Sequence, residues 1–106
     1  MIVTTTPTVE GRMATQYLGV VSGEAIMGAN IIRDFFAGIT DIIGGRSGTY
    51  DKVIENGRQE AMAEMTTEAN RLGADAIVGV TIHYSALGAS ESMLMVAVTG
   101  TAVRLG

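Results

Sequence analysis

Leu72-Gly73-Ala74-Asp75-Ala76-Ile77-Val78-Gly79-Val80 joins the end of a long helical pattern to the start of a β-branched one. Upstream of it, Ile54, Gly57, Ala61, Met65, Ala69 and Leu72 recur at three- and four-residue spacing, the period of one helix face. Gly73 then supplies the left-handed residue that commonly ends a helix. Downstream, Ala76, Val78, Val80, Ile82 and Tyr84 alternate with Ile77, Gly79, Thr81, His83 and Ser85, the two-residue period of a strand running Ala76–Ser85. A helix, a glycine stop and a buried strand therefore form the unit around which the chain is built.

The helix is expected to begin after an Arg46-Ser47-Gly48-Thr49 loop, with Thr49 as N-cap and Asp51 in the first turn, where a carboxylate suits the helix dipole. Gly57 and Ala61 are small and let this helix approach a sheet closely. Glu55, Arg58, Gln59, Glu64, Glu68 and Arg71 take the wet side, with Glu55–Arg58 and Glu68–Arg71 three residues apart. Before it, Asn30 caps an amphipathic helix whose apolar face is Ile31, Ile32, Phe35, Phe36, Ile39, Ile42 and Ile43, stopped by Gly44-Gly45. Its polar side carries one cation and two anions rather than a lysine-rich stripe, so burial against protein is favoured over a lipid surface.

Two further strands precede the helices. Ile2–Thr5 is short and ends at Thr6-Pro7, and Val9-Glu10-Gly11-Arg12 reads as a turn. From Gln16 to Ile26, strict alternation sets Tyr17, Gly19, Val21, Gly23 and Ala25 against Leu18, Val20, Ser22, Glu24 and Ile26. Glycines on one face weaken a strand unless another backbone packs closely there. Met93–Val103 closes the chain as an antiparallel hairpin partner of Ala76–Ser85, across Ala86 to Glu91. The order is β-β-α-α-β-β, an α+β class, with a right-handed crossover expected where strand, helix and strand follow one another. Both strand faces are apolar, so both need cover.

Composition narrows the function. The chain has 106 residues, enough for one domain, and is 47% hydrophobic but only 17% charged, below the ~25% usual for soluble domains. So little charge on a small domain leaves apolar surface for another copy to cover. A net charge of -4 with scattered basic residues argues against nucleic acid. The absence of cysteine removes disulfides, thiolate nucleophiles and cysteine-based zinc or iron–sulfur sites. The N-terminal residues lack the basic and apolar regions of a signal peptide, and charges interrupt Leu18 to Ile43 before it reaches the ~20 apolar residues of a bilayer span. A cytoplasmic protein that crosses no membrane is expected.

Few constellations carry chemistry. With a single histidine, His83, and no G-x-S-x-G elbow, a hydrolase triad has no footing. Gly44-Gly45-Arg46-Ser47-Gly48 is glycine-rich and precedes a helix, so its free amides and Arg46 suit an anion, although the lysine and spacing of a P-loop are missing. The plainer reading is a tight connection with Arg46 paired across an interface. Met93-x-Met95 offers two thioethers of the kind that hold Cu(I), with His83 the nearest imidazole. If Ser85 pairs with Ser92, His83 faces Leu94 while Met93 and Met95 point the other way; a one-residue slip reunites them. Core filling is the rival role for these methionines, as for Met62 and Met65. Glu60, Glu64 and Glu68 share a helix stripe that reads as a solvated face.

Tyr17-Leu18-Gly19-Val20-Val21-Ser22-Gly23-Glu24, Gly28-Ala29-Asn30, Gly44-Gly45-Arg46-Ser47-Gly48-Thr49-Tyr50 and Leu72 to Val80, in this order, resemble the YbjQ-like family, small bacterial and archaeal proteins that carry a heavy-metal-binding label. The likeness covers nearly the whole chain. Where the family tends to place a glutamate after the Gly-Gly-Arg-Ser loop, this chain has Asp51. The resemblance implies a dodecin-like subunit and a ring of identical copies, a pentamer or a pair of pentamers, without an activity or a named cofactor. The leading expectation is a non-catalytic homo-oligomer that binds a small ligand or ion at subunit junctions, through Gly45, Arg46 and Ser47 with Tyr50 and Asp51 beside them. One rival is an enzyme with a composite site between subunits, using Tyr50, Asp51 or His83 as acid or base. A third is a soft-metal protein using His83, Met93 and Met95.

Overall fold

The computed structural model describes residues 1–28, 46–87 and 93–106. Within them lie β1 (Ile2–Val3), β2 (Ala14–Met27), α1 (Arg46–Arg71), β3 (Ala76–Leu87) and β4 (Met93–Leu105). The sheet order is β1-β3-β4-β2. β4 runs antiparallel to both neighbours and β1 runs parallel to β3, so the mixed α+β class is as expected. The helix expected at Asn30 to Ile43 lies outside the described residues.

The Leu72–Val80 unit folds as its sequence dictates. Gly73 adopts φ 81, its N–H donates to the Asn70 carbonyl at 3.0 Å, and the Ala74 N–H donates to the Ala69 carbonyl at 3.1 Å. These two bonds satisfy carbonyls that the helix end would otherwise leave bare. Asp75 then ties three strands together. Its N–H donates to the Val103 carbonyl at 2.9 Å and its carbonyl accepts from the Ile2 N–H at 3.4 Å. Its carboxylate Oδ2 accepts from the Leu105 N–H at 2.9 Å.

α1 lies on one face of the sheet along a single i, i+4 row of Val53, Gly57, Ala61, Met65 and Ala69, all buried. Ile54 is half-buried and Leu72 exposed, so the apolar row is straighter than the mixed spacing predicted. The approach is close because both sides are stripped. A Cβ on Gly23 would collide with the Ala61 carbonyl oxygen and the Met65 nitrogen, and one on Gly57 would stand 2.9 Å from Val96 Cγ2. Val21, Ile77, Val80, Val96, Val98 and Ala102 complete this core.

Three details of the sequence reading are corrected. α1 begins at Arg46 rather than after Thr49, so Arg46 and Ser47 form its first turn rather than a loop, and no acidic residue lies in that turn. β3 continues through Ala86 and Leu87, beyond the expected end at Ser85. Strict alternation also fails twice. Register shifts fall between Tyr17 and Gly19 and between Val78 and Thr81, beside Gly19 at φ 127 and Gly79 at φ 61. An extra residue in a strand resets which face its neighbours occupy. Tyr17 is thereby turned away from the helix while Leu18 packs toward it, and Ile77 joins Val80 and Ile82 on the helix side.

Candidate functional site

The reverse face of the sheet is where the chain places its chemistry-bearing side chains. Cross-strand register defines its rows from end to end. Ala76, Val103 and Tyr17 form the first, then Val78, Thr101 and Val20, then Thr81, Thr99 and Ser22. His83, Ala97 and Glu24 follow, then Ser85, Met95 and Ile26, with Leu87 opposite Met93 at the far end. No helix among the described residues packs on these rows. Tyr17 is 73% exposed, Val20 75% and Ile26 54%.

One end of this face is covered by the segment after β1. Thr4 continues pairing with β3, its N–H donating to the Ile77 carbonyl at 2.9 Å and its carbonyl accepting from the Val80 N–H at 3.1 Å. The Thr6 carbonyl takes the Gly79 N–H at 2.8 Å, which anchors the backbone at the bulge. The expected turn at Val9 to Arg12 forms, with the Arg12 N–H on the Val9 carbonyl at 3.1 Å and Gly11 at φ 81. Ala76, Val78 and Val103 are buried beneath this segment, with half-buried Val9, Ala14 and Leu105 packed against them. A cleft of about 510 Å³ remains between the segment and the sheet, floored by Val78, Val103 and Leu105 and flanked by Arg12 and Tyr17. Arg12 is held in place there, its Nε donating to the Gly106 carbonyl oxygen at 3.2 Å. Nothing in the sequence periodicity announced this cleft, because it needs the segment from Thr4 to Met13 to fold back over strands distant in sequence.

The centre of the face is a polar waist two rows deep between apolar ends. The Thr81 and Thr99 hydroxyls share a hydrogen bond of 2.9 Å. In the next row His83 and Glu24, both exposed, stand on either side of half-buried Ala97. Half-buried Met95 lies one row on, diagonal to both. Of the registers open to the hairpin, the one with Ser85 opposite Ser92 is not formed: Ser85 lies opposite Met95 and His83 faces Ala97. That offset is an odd number of residues, and it brings His83, Met93 and Met95 to the same face. Glu24 was not expected to join them. The signal for it was the Gly23-Glu24 alternation, usable only once the register of β2 on β4 was known.

The other expected site is not assembled with these groups. Arg46, Ser47 and Tyr50 lie at the start of α1, Asp51 is exposed one turn further on, and Gly45 lies outside the described residues. Among the described residues no three histidine, cysteine or acidic side chains come together as a cation cage. No described helix is long and apolar enough to cross a membrane.

Comparison with known proteins agrees with this architecture. A YbjQ family model described as "Putative heavy-metal-binding" matches residues 1–106. A "UPF0145 protein" of Actinobacillus pleuropneumoniae serotype 5b (strain L20) is 55% identical over 103 residues, covering 97% of each chain. Its counterpart from serotype 3 (strain JL03) gives the same identity and coverage. A crystal structure of a DUF74-family protein of unknown function from Pediococcus pentosaceus ATCC 25745 superposes with a TM-score of 0.61, at 16% identity, over 100% of this chain and 98% of that one. That likeness is one of fold.

Proposed function

Because the chain belongs to the YbjQ-like family, we propose that it works as a cytoplasmic homo-oligomeric ring, a pentamer or a pair of pentamers, which binds a small ligand or a metal ion where subunits meet. The observation that carries this reading is the sheet face that no described helix covers, with Tyr17, Val20 and Ile26 standing out of it. Three adjacent strands, each about 40 Å long at ~3.3 Å per residue and ~4.8 Å apart, present a face of roughly 580 Å², of which about 400 Å² lies beyond the covered end. That is about half of the ~800 Å² which each partner buries in a standard interface, so the contact extends onto neighbouring surface. Each Å² of apolar surface withdrawn from water contributes about 25 cal/mol, so a second copy laid on this face gains far more than water does. The low charge content of the chain favours the same outcome.

The start of α1 is the proposed ligand contact at the junction, through Gly45, Arg46 and Ser47 with Tyr50 and Asp51 alongside. Helix N-terminal amides and a nearby guanidinium suit an anionic group. Sedimentation velocity at micromolar concentration, with native mass spectrometry of the freshly purified protein, tests the reading. The expected result is a closed multiple of the single chain with any co-purified molecule retained, and Arg46→Ala is expected to lose either that molecule or the assembly. A well-folded solitary subunit overturns it.

A further inference from the structure

We propose that His83, Met95 and Glu24, brought by register around Ala97 on the sheet face that no described helix covers, form a copper site in which Met93 takes no part. The inference rests on the metal-binding branch of the reading above and locates it away from the start of α1.

Register makes the selection. His83 and Met95 are diagonal neighbours across β3 and β4, which sets their Cβ atoms about 7–8 Å apart. His83 and Glu24 occupy one row with β4 between them, a separation of about 10 Å at two strand spacings. Two side chains of this length, with their bonds of ~2 Å to a shared ion, span about 10–11 Å. Both pairs are within that span. Met93 is four residues further along β4 than Ala97, the residue opposite His83, which puts it about 14 Å from the histidine. Its thioether and the imidazole cannot meet on one ion.

Ala97 matters because it is small. A larger residue at the centre of the row would fill the space that the histidine and the glutamate need to share one ion. The donor set is an imidazole nitrogen, a thioether sulfur and a carboxylate oxygen. Imidazole and thioether together select Cu(I) over the harder divalent ions. The carboxylate is a weak ligand for such an ion, and its contribution is charge balance. The setting supplies a further reason. These groups lie in the waist of an otherwise apolar face, and wherever a second copy covers that face they lose water. Burying an unpaired carboxylate beside an imidazole is costly, and a shared cation compensates both.

The test is anaerobic titration of the purified assembly with Cu(I) against a chromophoric Cu(I) chelator, with the oligomer's mass measured on the same samples. Wild type is expected to hold one Cu(I) per chain. His83→Ala and Met95→Leu are each expected to weaken binding tenfold or more, and Glu24→Gln several-fold. Met93→Leu is expected to change nothing, which separates this site from a generic methionine pair. Absence of copper retention by an intact wild-type oligomer overturns the site and leaves the assembly reading standing. Equal losses for Met93→Leu and Met95→Leu also overturn it. Copper held by a solitary subunit, with the same dependence on the four residues, supports the site while the assembly reading falls.

Discussion

On the helix side of the sheet Val21, Ile77, Val96, Val98 and Ala102 are all fully buried, whereas the reverse side of the same strands carries Val20 at 75% and Ile26 at 54% exposure. Composition separates the two faces in part, since the reverse side sets Ser22, Glu24, Thr81, His83 and Thr99 between apolar ends. The rest of the difference lies in what the backbone permits. Gly23 and Gly57 remove the Cβ atoms that would hold α1 away, and the helix backbone settles on them. Among the described residues the reverse side has no such stripped pair. It keeps its large side chains upright around a polar waist, a form suited to meeting another surface rather than its own chain.

The comparison breaks most readily at Gly23. Adding one methyl there drives Cβ into the carbonyl of Ala61 and the amide of Met65, and backbone in a helix interior cannot rotate aside. Gly23→Ala is expected to cost about 3 kcal/mol or more, read as a lowered urea midpoint at fixed protein concentration, since assembly makes stability concentration-dependent. A midpoint within experimental scatter of wild type would show that α1 stands further from the sheet. Next comes Met65→Ala. Met65 is fully buried in the row beneath the helix, and its truncation leaves a cavity expected to cost about 2–4 kcal/mol by the same measurement.

How far these faces were legible in the sequence depends on which residues are asked. Gly73 as helix stop, the Val9–Arg12 turn and the small residues Gly57 and Ala61 could all be read, because each rests on local chemistry that no distant contact overrides. Gly23 was readable too, as a glycine that only close packing could justify. The face assignment of Tyr17, Leu18, Ile77 and Val78 was not. Gly19 and Gly79 have an ordinary strand reading and a bulge reading, and which one applies depends on whether β4 and the segment after β1 supply partners for the extra residue. The same register controls the candidate site. His83 and Met95 were visible as donors, but their meeting across β3 and β4, and the arrival of Glu24 from β2, depend on an offset that no single strand encodes. The start of α1 is not legible from Gly48, which reads as a loop residue although the helix runs through it from Arg46.

A smaller effect is expected at Gly57, where two contributions oppose each other. Gly57→Ala in a helix interior returns about 1 kcal/mol of helix propensity. Its new Cβ meets Val96 Cγ2 at 2.9 Å rather than backbone, but Val96 is fully buried and β-branched, so it yields little. Overpacking of this size costs about 1–3 kcal/mol. The net expectation is a destabilisation of about 1 kcal/mol, well under that of Gly23→Ala. A stabilised variant would reveal slack between helix and sheet at this end.

The least effect on the fold is expected on the reverse face, and there it carries the most information. Val20→Lys combined with Ile26→Lys places two charges on side chains that no described element covers. Exposed substitutions of this kind change folding by about 0.5 kcal/mol or less, so the circular dichroism spectrum of the diluted chain should match wild type. Two ammonium groups pressed into an apolar junction are another matter, because each would lose its water without gaining a partner. The sedimentation coefficient is therefore expected to fall to that of a solitary subunit. If the doubly substituted protein instead unfolds, the reverse face is core closed within the subunit, and the two sides of the sheet differ in degree rather than in kind. If it assembles as before, the copies meet through some other surface, and the waist of His83 and Glu24 stays in water.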